Sequence, residues 1–147
     1  KKAQETYAVK QVRCTKAMKT QKATESSLTA TINFTGEQLE LKDFKVSPAT
    51  YRTGQDKPDV LKAKVLLSSS LKGLMKSNNK AFLVKFRNGH VSVAQRYHKT
   101  RYPIKKLLSN SIPTMIGSKD RVYGVIEPEI YDTLMDNILK EIKRVTR

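Results

Sequence analysis

The 147-residue sequence predicts an α+β fold: an antiparallel β-sheet built from hairpins, with a short N-terminal helix and a C-terminal amphipathic helix packed on it. Three observations predict this class. Residues 28–34 alternate apolar and polar side chains, two strand-like runs flank Asn88-Gly89, and apolar residues repeat every four positions near the C-terminal end. A composition of 38% hydrophobic and 29% charged residues is globular, so we expect residues 1–147 to form a single domain.

The first third of the chain predicts a short basic helix followed by a hairpin. Val9 to Met18 places apolar residues at helical spacing with basic residues between them. "SLTATINFTG" alternates from Leu28 to Phe34, which indicates a half-buried strand. After the turn "TGEQ", the segment from Leu39 to Val46 is expected to return as the second strand of that hairpin.

The middle of the chain predicts a turn, a strand and a loop. Residues 51–59 are rich in turn-forming residues, and "VLKAKVLLSS" is typical of a strand with Lys62 and Lys64 on its solvent face. Residues 68–80 are mostly Ser, Lys, Asn and Gly, so we expect a mobile loop. The lysines of this loop that we expect to contact a partner are Lys72, Lys76 and Lys80.

A second hairpin is predicted around Asn88-Gly89. Residues 81–86 and 91–97 have strand composition, and Asn-Gly favours a tight turn because both residues adopt positive φ readily. We expect one face of this hairpin to carry Phe82, Val84 and Phe86, with Val91 and Val93 as their cross-strand partners on the core side.

The C-terminal segment predicts a helix that begins at Glu127 and Pro128. Proline is favoured in a first turn, and acidic residues precede basic ones along the segment, as the helix dipole prefers. The four-residue repeat places Ile138 in the middle of an apolar stripe wide enough to cover one face of the sheet. We therefore expect Ile138 to be buried.

The formal net charge of +16 is unevenly distributed. Residues 45–106 contain 15 basic and two acidic side chains, whereas residues 107–147 contain six of each. A regional excess favours a polyanionic or acidic partner, although a solvated lysine-rich face is the commoner meaning of such a composition. The basic residues that we expect to form a surface facing DNA or a protein partner are Lys85, Arg87, Arg96, Lys99, Arg101, Lys105 and Lys106.

The chemistry-bearing residues do not indicate an enzyme. One cysteine and two histidines give no set of spaced zinc ligands, and neither a glycine-rich phosphate loop nor a nucleophile elbow occurs. Cys14 is expected to be a half-buried small residue on a helix. We expect no catalytic residue, metal or cofactor, and no membrane partner, because no run approaches the roughly 20 apolar residues of a spanning helix.

Four segments followed by an amphipathic helix resemble the minor tail protein Z family of tailed phages and prophages. In chain order the segments are "ETYAVKQVRCTKAMK", "LELKDFKVSP", "KAFLVKFRNGHVSVAQR" and "RYPIKKLLSNSIPTMIG". The resemblance runs nearly from end to end, and the order and spacing of the segments carry it. Family members usually have a helix before the position of Lys1, so we expect that the N-terminal helix is truncated here.

The resemblance implies a structural tail-completion protein at the head-proximal end of the tail, where finished tails join heads. It implies a homo-oligomeric ring on the tail, contacts with other tail or head-tail connector proteins, and non-specific contact with DNA. It also implies a location in the virion tail, and in the bacterial cytoplasm during assembly.

The alternative is a free-standing nucleic-acid-binding module. Aromatic residues interleaved with arginines suit single-stranded nucleic acid, since bases stack on the rings while the cations meet phosphates. The residues concerned are Phe86, Tyr97 and Tyr102, with Arg87, Arg96 and Arg101. Against this alternative, the alternation predicts that Phe86 lies in the core.

Overall fold

The computed structural model describes residues 1–50, 60–76 and 78–146, and these residues form antiparallel sheets with helices at both ends of the chain. The predicted α+β class is therefore confirmed. The turn-rich segment 51–59 lies outside the described residues.

The described helices are α1 (Lys2–Thr6), α2 (Gln11–Ala17), α3 (Ile112–Ile116) and α4 (Tyr123–Val145). The described strands are β1 (Met18–Gln21), β2 (Thr31–Phe34), β3 (Gln38–Glu40), β4 (Lys45–Ser47), β5 (Lys62–Lys64), β6 (Lys72–Gly73), β7 (Met75–Lys76), β8 (Asn79–Lys85), β9 (Val91–Arg96), β10 (Ile104–Lys106) and β11 (Leu108–Ser111). The predicted basic helix corresponds to α2, and α1 precedes it. Residues 68–80, predicted to be a mobile loop, contain β6, β7 and the first residues of β8.

The strands form four small antiparallel sheets, in the orders β1-β2, β10-β9-β8-β7, β11-β3 and β4-β5-β6. The predicted pairing of residues 28–34 with residues 39–46 is wrong. Strand β1 continues directly from α2 and pairs with β2, with Met18 opposite Phe34. A short 3₁₀ turn at Leu41–Asp43 divides the predicted return strand into β3, which pairs with β11, and β4, which pairs with β5.

The core lies between the β8–β9 hairpin and the short segments around it. Val93 and Ala94 in β9 are fully buried, as are Met115 of α3 and Val122 just before α4. Helix α3 begins at Ser111, whose hydroxyl accepts a hydrogen bond from the Thr114 amide. This cap fixes the helix that carries Met115 into the core.

The β8–β9 hairpin exists as predicted, but its register differs by one residue. The Phe86 amide donates to the His90 carbonyl at 2.8 Å, so the loop has three residues, and within it only Gly89 has a positive φ, of 80°. A two-residue loop at Asn88-Gly89 would pair Phe86 with Val91. The observed loop pairs Lys85 with Val91 and Leu83 with Val93.

This one-residue difference reverses the predicted faces, since strand side chains alternate with a period of two. Phe82 lies opposite Ala94 and Val84 opposite Ser92, on the other face of the sheet from Val93. The prediction that Phe82, Val84 and Phe86 share the core face with Val91 and Val93 is therefore wrong. Leu83, not Phe82 or Phe86, packs against the buried cluster.

Helix α4 differs from its prediction in both its start and its environment. It begins at Tyr123, so Pro128 lies inside the helix, and none of its residues is buried. Val122 and Ile126 anchor its beginning in the core, after which every described residue is exposed. The prediction that the stripe packs on the sheet is wrong, and Ile138 is 43% exposed. None of the described helices is long and apolar enough to cross a membrane.

Candidate basic interface on the β8–β10 sheet

Strands β8, β9 and β10 position most of the predicted basic side chains. Strand β9 lies in the centre, with Ala81 of β8 opposite Gln95 on one side and Lys105 of β10 opposite Gln95 on the other. Gln95 is buried, and its side-chain amide donates to the Asn79 carbonyl at 2.6 Å. This hydrogen bond satisfies a buried polar group and fixes the end of the hairpin from which the β9–β10 connection leaves.

Four of the predicted cations lie at this end of the sheet, with Arg96 and Lys105 on opposite faces of it. Lys105 Nζ lies 5.3 Å from the centre of the Tyr97 ring, and the Arg101 guanidinium lies 5.7 Å from the centre of the Tyr102 ring. Both tyrosines are more than half exposed. We call this group the basic loop cluster, and it comprises Arg96, Lys99, Arg101 and Lys105 with Tyr97 and Tyr102.

Lys85 and Arg87 lie at the opposite end of the hairpin. Lys85 is the last residue of β8 and pairs with Val91, and Arg87 lies in the three-residue loop. Val91 and Arg96 are five residues apart in β9, which corresponds to about 17 Å of extended strand. Six of the seven predicted residues are therefore divided between the two ends of one sheet.

Lys106, between these ends, is paired with an acid. Its Nζ donates to Glu40 Oε1 at 2.9 Å, and His90 Nε2 donates to Glu40 Oε2 at the same distance. The pairing of β3 with β11, with Glu40 opposite Leu108, places the carboxylate there. Glu40 thus links three separate elements of the fold: β3, β10 and the turn of the β8–β9 hairpin.

The environment of Glu40 keeps it ionised. Partial burial alone would raise the pKa of this carboxyl, but the neighbouring Ser92 hydroxyl, Lys106 and His90 together outweigh that effect and lower its pKa from 4.5 to about 2. Ser92 Oγ has no hydrogen-bond partner among the described residues, so the direct hydrogen bonds to the carboxylate come from Lys106 and His90. No local sequence pattern marks Glu40 as a residue of the site. The available signal was the acidic segment 27–44, which contains one basic and three acidic residues between two basic regions.

Two phenylalanines lie beneath cations on the face of the sheet opposite Val93. The Arg96 guanidinium is 5.7 Å from the centre of the Phe82 ring, and Lys106 Nζ is 5.3 Å from the centre of the Phe86 ring. The imidazole of His90 stacks on Phe86, with ring centres 6.2 Å apart. Phe86 is half-buried and lies outside the core cluster, so the objection that it is a core residue no longer applies to the nucleic-acid alternative.

The lysines of segment 68–80 are distributed over two sheets. Lys72 lies in β6, next to β5, while Lys76 in β7 and Lys80 in β8 belong to the sheet that carries the basic loop cluster. All three are exposed. Lys76 lies on the edge strand of that sheet, on the side of β8 away from β9.

A cleft of about 330 Å³ lies beside Glu40 and is lined by charged groups that are already paired. Arg13 on α2 donates to Asp43 at 2.6 Å, and Glu40 binds His90 as described above. Within the part of the chain that the structure describes, no group of His, Cys, Asp or Glu side chains has the arrangement of a metal site. Cys14 is half-buried on α2, as predicted, and burial raises the pKa of its thiol.

These features define a class of protein: a small α+β domain with a cation- and tyrosine-rich sheet end and a long helix outside the core. No protein-family model, curated protein or solved structure matches the chain.

Proposed function

We propose that this protein is a structural component of a phage or prophage tail, acting at the head-proximal end in tail completion and head-tail joining. The observation that carries the proposal is the basic loop cluster, a group of cations at one end of a hydrogen-bonded hairpin, of which Arg96, Lys99 and Arg101 are exposed and Lys105 is half-buried. A protein that lines or borders a DNA path needs cations that reach phosphates. The order of the sequence segments that resemble the minor tail protein Z family supplies the biological setting.

The geometry of the cluster favours sequence-independent contact. Lysine and arginine side chains on a strand end and its loop reach the phosphate backbone, whereas base-edge readout needs an element inserted in a groove. About four phosphate contacts give affinity that falls roughly 100-fold between 50 and 200 mM salt. Weak, salt-sensitive contact is compatible with DNA that has to move past the protein.

The experiment replaces Arg96 and Arg101 with glutamine and measures binding to a double-stranded DNA fragment over a salt titration. We expect the slope of log affinity against log salt to fall by about 2, because two phosphate contacts are lost. The matched control replaces Lys19 and Lys22, two exposed lysines at the β1–β2 hairpin, and should leave the slope unchanged.

The same double variant is tested in assembly by counting finished tails and infectious particles. A flattened salt slope with reduced infectivity supports the proposed contact with DNA. An unaltered slope with missing tails assigns Arg96 and Arg101 to contacts with neighbouring proteins instead. Normal tails, normal infectivity and unaltered DNA binding would refute a role of the cluster in tail completion.

The second candidate function, a free-standing nucleic-acid-binding module, is favoured by the exposed Tyr97 and Tyr102 beside Lys105 and Arg101. Base stacking contributes about 1–3 kcal/mol per base. This candidate therefore predicts that a single-stranded oligonucleotide binds more tightly than duplex DNA, and that changing both tyrosines to alanine removes the preference. Equal binding of both forms, insensitive to that change, would exclude it.

A further inference from the structure

We propose that helix α4 pairs with α4 of a second copy of this chain, in antiparallel orientation. This inference does not depend on the proposed function. It starts from the apolar stripe of α4, which no described part of the chain covers: Leu134 is 53% exposed and Ile142 is 54% exposed. A row of large apolar side chains in water marks an interaction site.

The spacing of the stripe suits another helix. Tyr131, Met135, Ile138, Ile142 and Val145 follow one another at intervals of four, three, four and three residues. This is the alternation of the a and d positions of a coiled coil, in which side chains of one helix insert between those of its partner. Leu134 and Leu139 flank the seam and widen it.

The charges of α4 are divided along its length and favour one orientation. Its first part carries Glu127, Glu129, Asp132 and Asp136 without a basic residue, and its last part carries Lys140, Lys143 and Arg144 with one acid, Glu141. A parallel pair would place acid against acid and base against base. Most of these charges, including Asp136 and Lys140, lie on the side of the helix away from the seam, so they do not pair directly across it. In an antiparallel pair centred near Ile138, the acidic half of each helix lies beside the basic half of the other, which their summed field favours.

The charge of the remaining chain favours the same orientation. Residues 1–122 contain 25 basic and eight acidic side chains, a net charge of +17. Each such body is attached at the beginning of its helix, through Val122 and Ile126. A parallel pair would bring two strongly positive bodies together, whereas an antiparallel pair separates them by about the length of the seam. Such an interface is isologous, because both copies contribute the same surface.

The first experiment measures the mass of the full chain by sedimentation velocity at concentrations from about 1 to 100 µM in 150 mM salt. We expect the chain to dimerise within this range, and Ile138→Asp to weaken the dimer at least tenfold, since it places a charge in the seam. Thr133→Asp adds the same charge to the polar face of the same helix and should dimerise like the unaltered chain. A chain that remains monomeric throughout would overturn the proposal.

Charge reversal tests the orientation. One variant reverses the acidic part (Glu129→Lys, Asp132→Lys, Asp136→Lys), a second reverses the basic part (Lys140→Glu, Lys143→Glu, Arg144→Glu), and a third combines all six changes. At low ionic strength, where the charges are least screened, we expect each triple variant to dimerise about twofold to fivefold more weakly, and the variant with all six changes to recover dimerisation, because complementarity between the two halves is restored only in an antiparallel pair. Triple variants that dimerise as strongly as the unaltered chain would overturn the antiparallel pair.

A membrane surface is the competing occupant of such a helix. Flotation with vesicles of phosphatidylcholine and phosphatidylglycerol decides between them. At 150 mM salt, we expect Ile138→Asp to leave the amount of protein that floats with the vesicles unchanged. Flotation of a monomeric chain that Ile138→Asp abolishes and Thr133→Asp does not would assign the stripe to lipid and refute the helix pair.

Discussion

The β8–β9 hairpin and helix α4 have apolar patterns of similar regularity, yet they occupy opposite environments. In the hairpin, Val93 and Ala94 are fully buried, and neighbouring strands or the 3₁₀ turn contact β9. In α4, ten large apolar side chains are exposed, namely Tyr123, Val125, Ile130, Tyr131, Leu134, Met135, Ile138, Leu139, Ile142 and Val145.

The difference teaches that periodicity identifies which side chains share a face but not what covers that face. A strand of a central hairpin acquires neighbours through backbone hydrogen bonds, so its buried residues follow from its place in the sheet. A helix satisfies its own backbone and can leave the core with its apolar stripe uncovered within the chain. The stripe of α4 then becomes available to another molecule.

Among the variants that test this contrast between the hairpin and α4, we expect the largest loss of stability at Val93. Val93→Asp places an unpaired charge at a fully buried position and should destabilise the domain by at least about 3 kcal/mol, a large fraction of the stability of a typical domain. Urea unfolding followed by circular dichroism measures the change. The control is Lys85→Asp. Lys85 lies in β8, on the same face of the hairpin as Val93, but it is exposed, so this change should alter the free energy of unfolding by less than about 0.5 kcal/mol. Equal losses in the two variants would contradict the burial of Val93 in the core.

An intermediate effect is expected at Glu40, which links the hairpin turn and β10 to β3. Glu40→Gln should lower the free energy of unfolding at pH 7 by about 2 kcal/mol, because the charge-assisted hydrogen bonds to Lys106 and His90 are weakened. Glu37→Gln changes an exposed acid in the same segment and should have little effect.

The Glu40 interaction also predicts acid sensitivity with a definite sign. The pKa of Glu40 is lowered from 4.5 to about 2 in the folded protein, so its contribution to stability is fully present above pH 4.5 and is lost as the pH falls toward 2. A shift of this size corresponds to about 3 kcal/mol before solvent screening, which reduces the contribution of a carboxyl in contact with water. The Gln variant should lose less stability than the unaltered chain between these pH values. Parallel pH profiles would show that Glu40 does not interact as the structure indicates.

The elements that were predictable from the sequence are those with strong local signals. The alternation around Asn88-Gly89 located β8 and β9, and the four-residue repeat located α4. The register of the hairpin was not predictable, because Arg87-Asn88-Gly89 suits a three-residue loop as well as Asn88-Gly89 suits a two-residue one. That single choice moved Phe82 and Phe86 from the core face to the face with Arg96 and Lys106.

The candidate site was predictable in composition but not in arrangement. Counting charges identified the basic region, whereas the separation of Arg87 from the basic loop cluster follows from strand direction, and the pairing of Lys106 with Glu40 follows from β3 lying beside β11. Residues 40 and 106 are too far apart in sequence for local patterns to connect them. Pairings between distant strands decide such contacts, and no short motif encodes them.

The smallest expected effect is at Ile138. At protein concentrations below those at which dimers form, Ile138→Asp should change the free energy of unfolding by less than about 0.5 kcal/mol, because a half-exposed position on a solvent-facing helix loses little. Under these conditions Thr133→Asp should change the free energy of unfolding by an equally small amount. At higher concentrations the unaltered chain and Thr133→Asp should become more resistant to unfolding, whereas Ile138→Asp should not, since association stabilises only the folded state that pairs. Thermal unfolding at several protein concentrations measures both regimes. A loss of several kcal/mol in dilute solution would mean that the stripe is covered within the chain, as the sequence pattern alone predicts, and would remove the contrast between α4 and the hairpin.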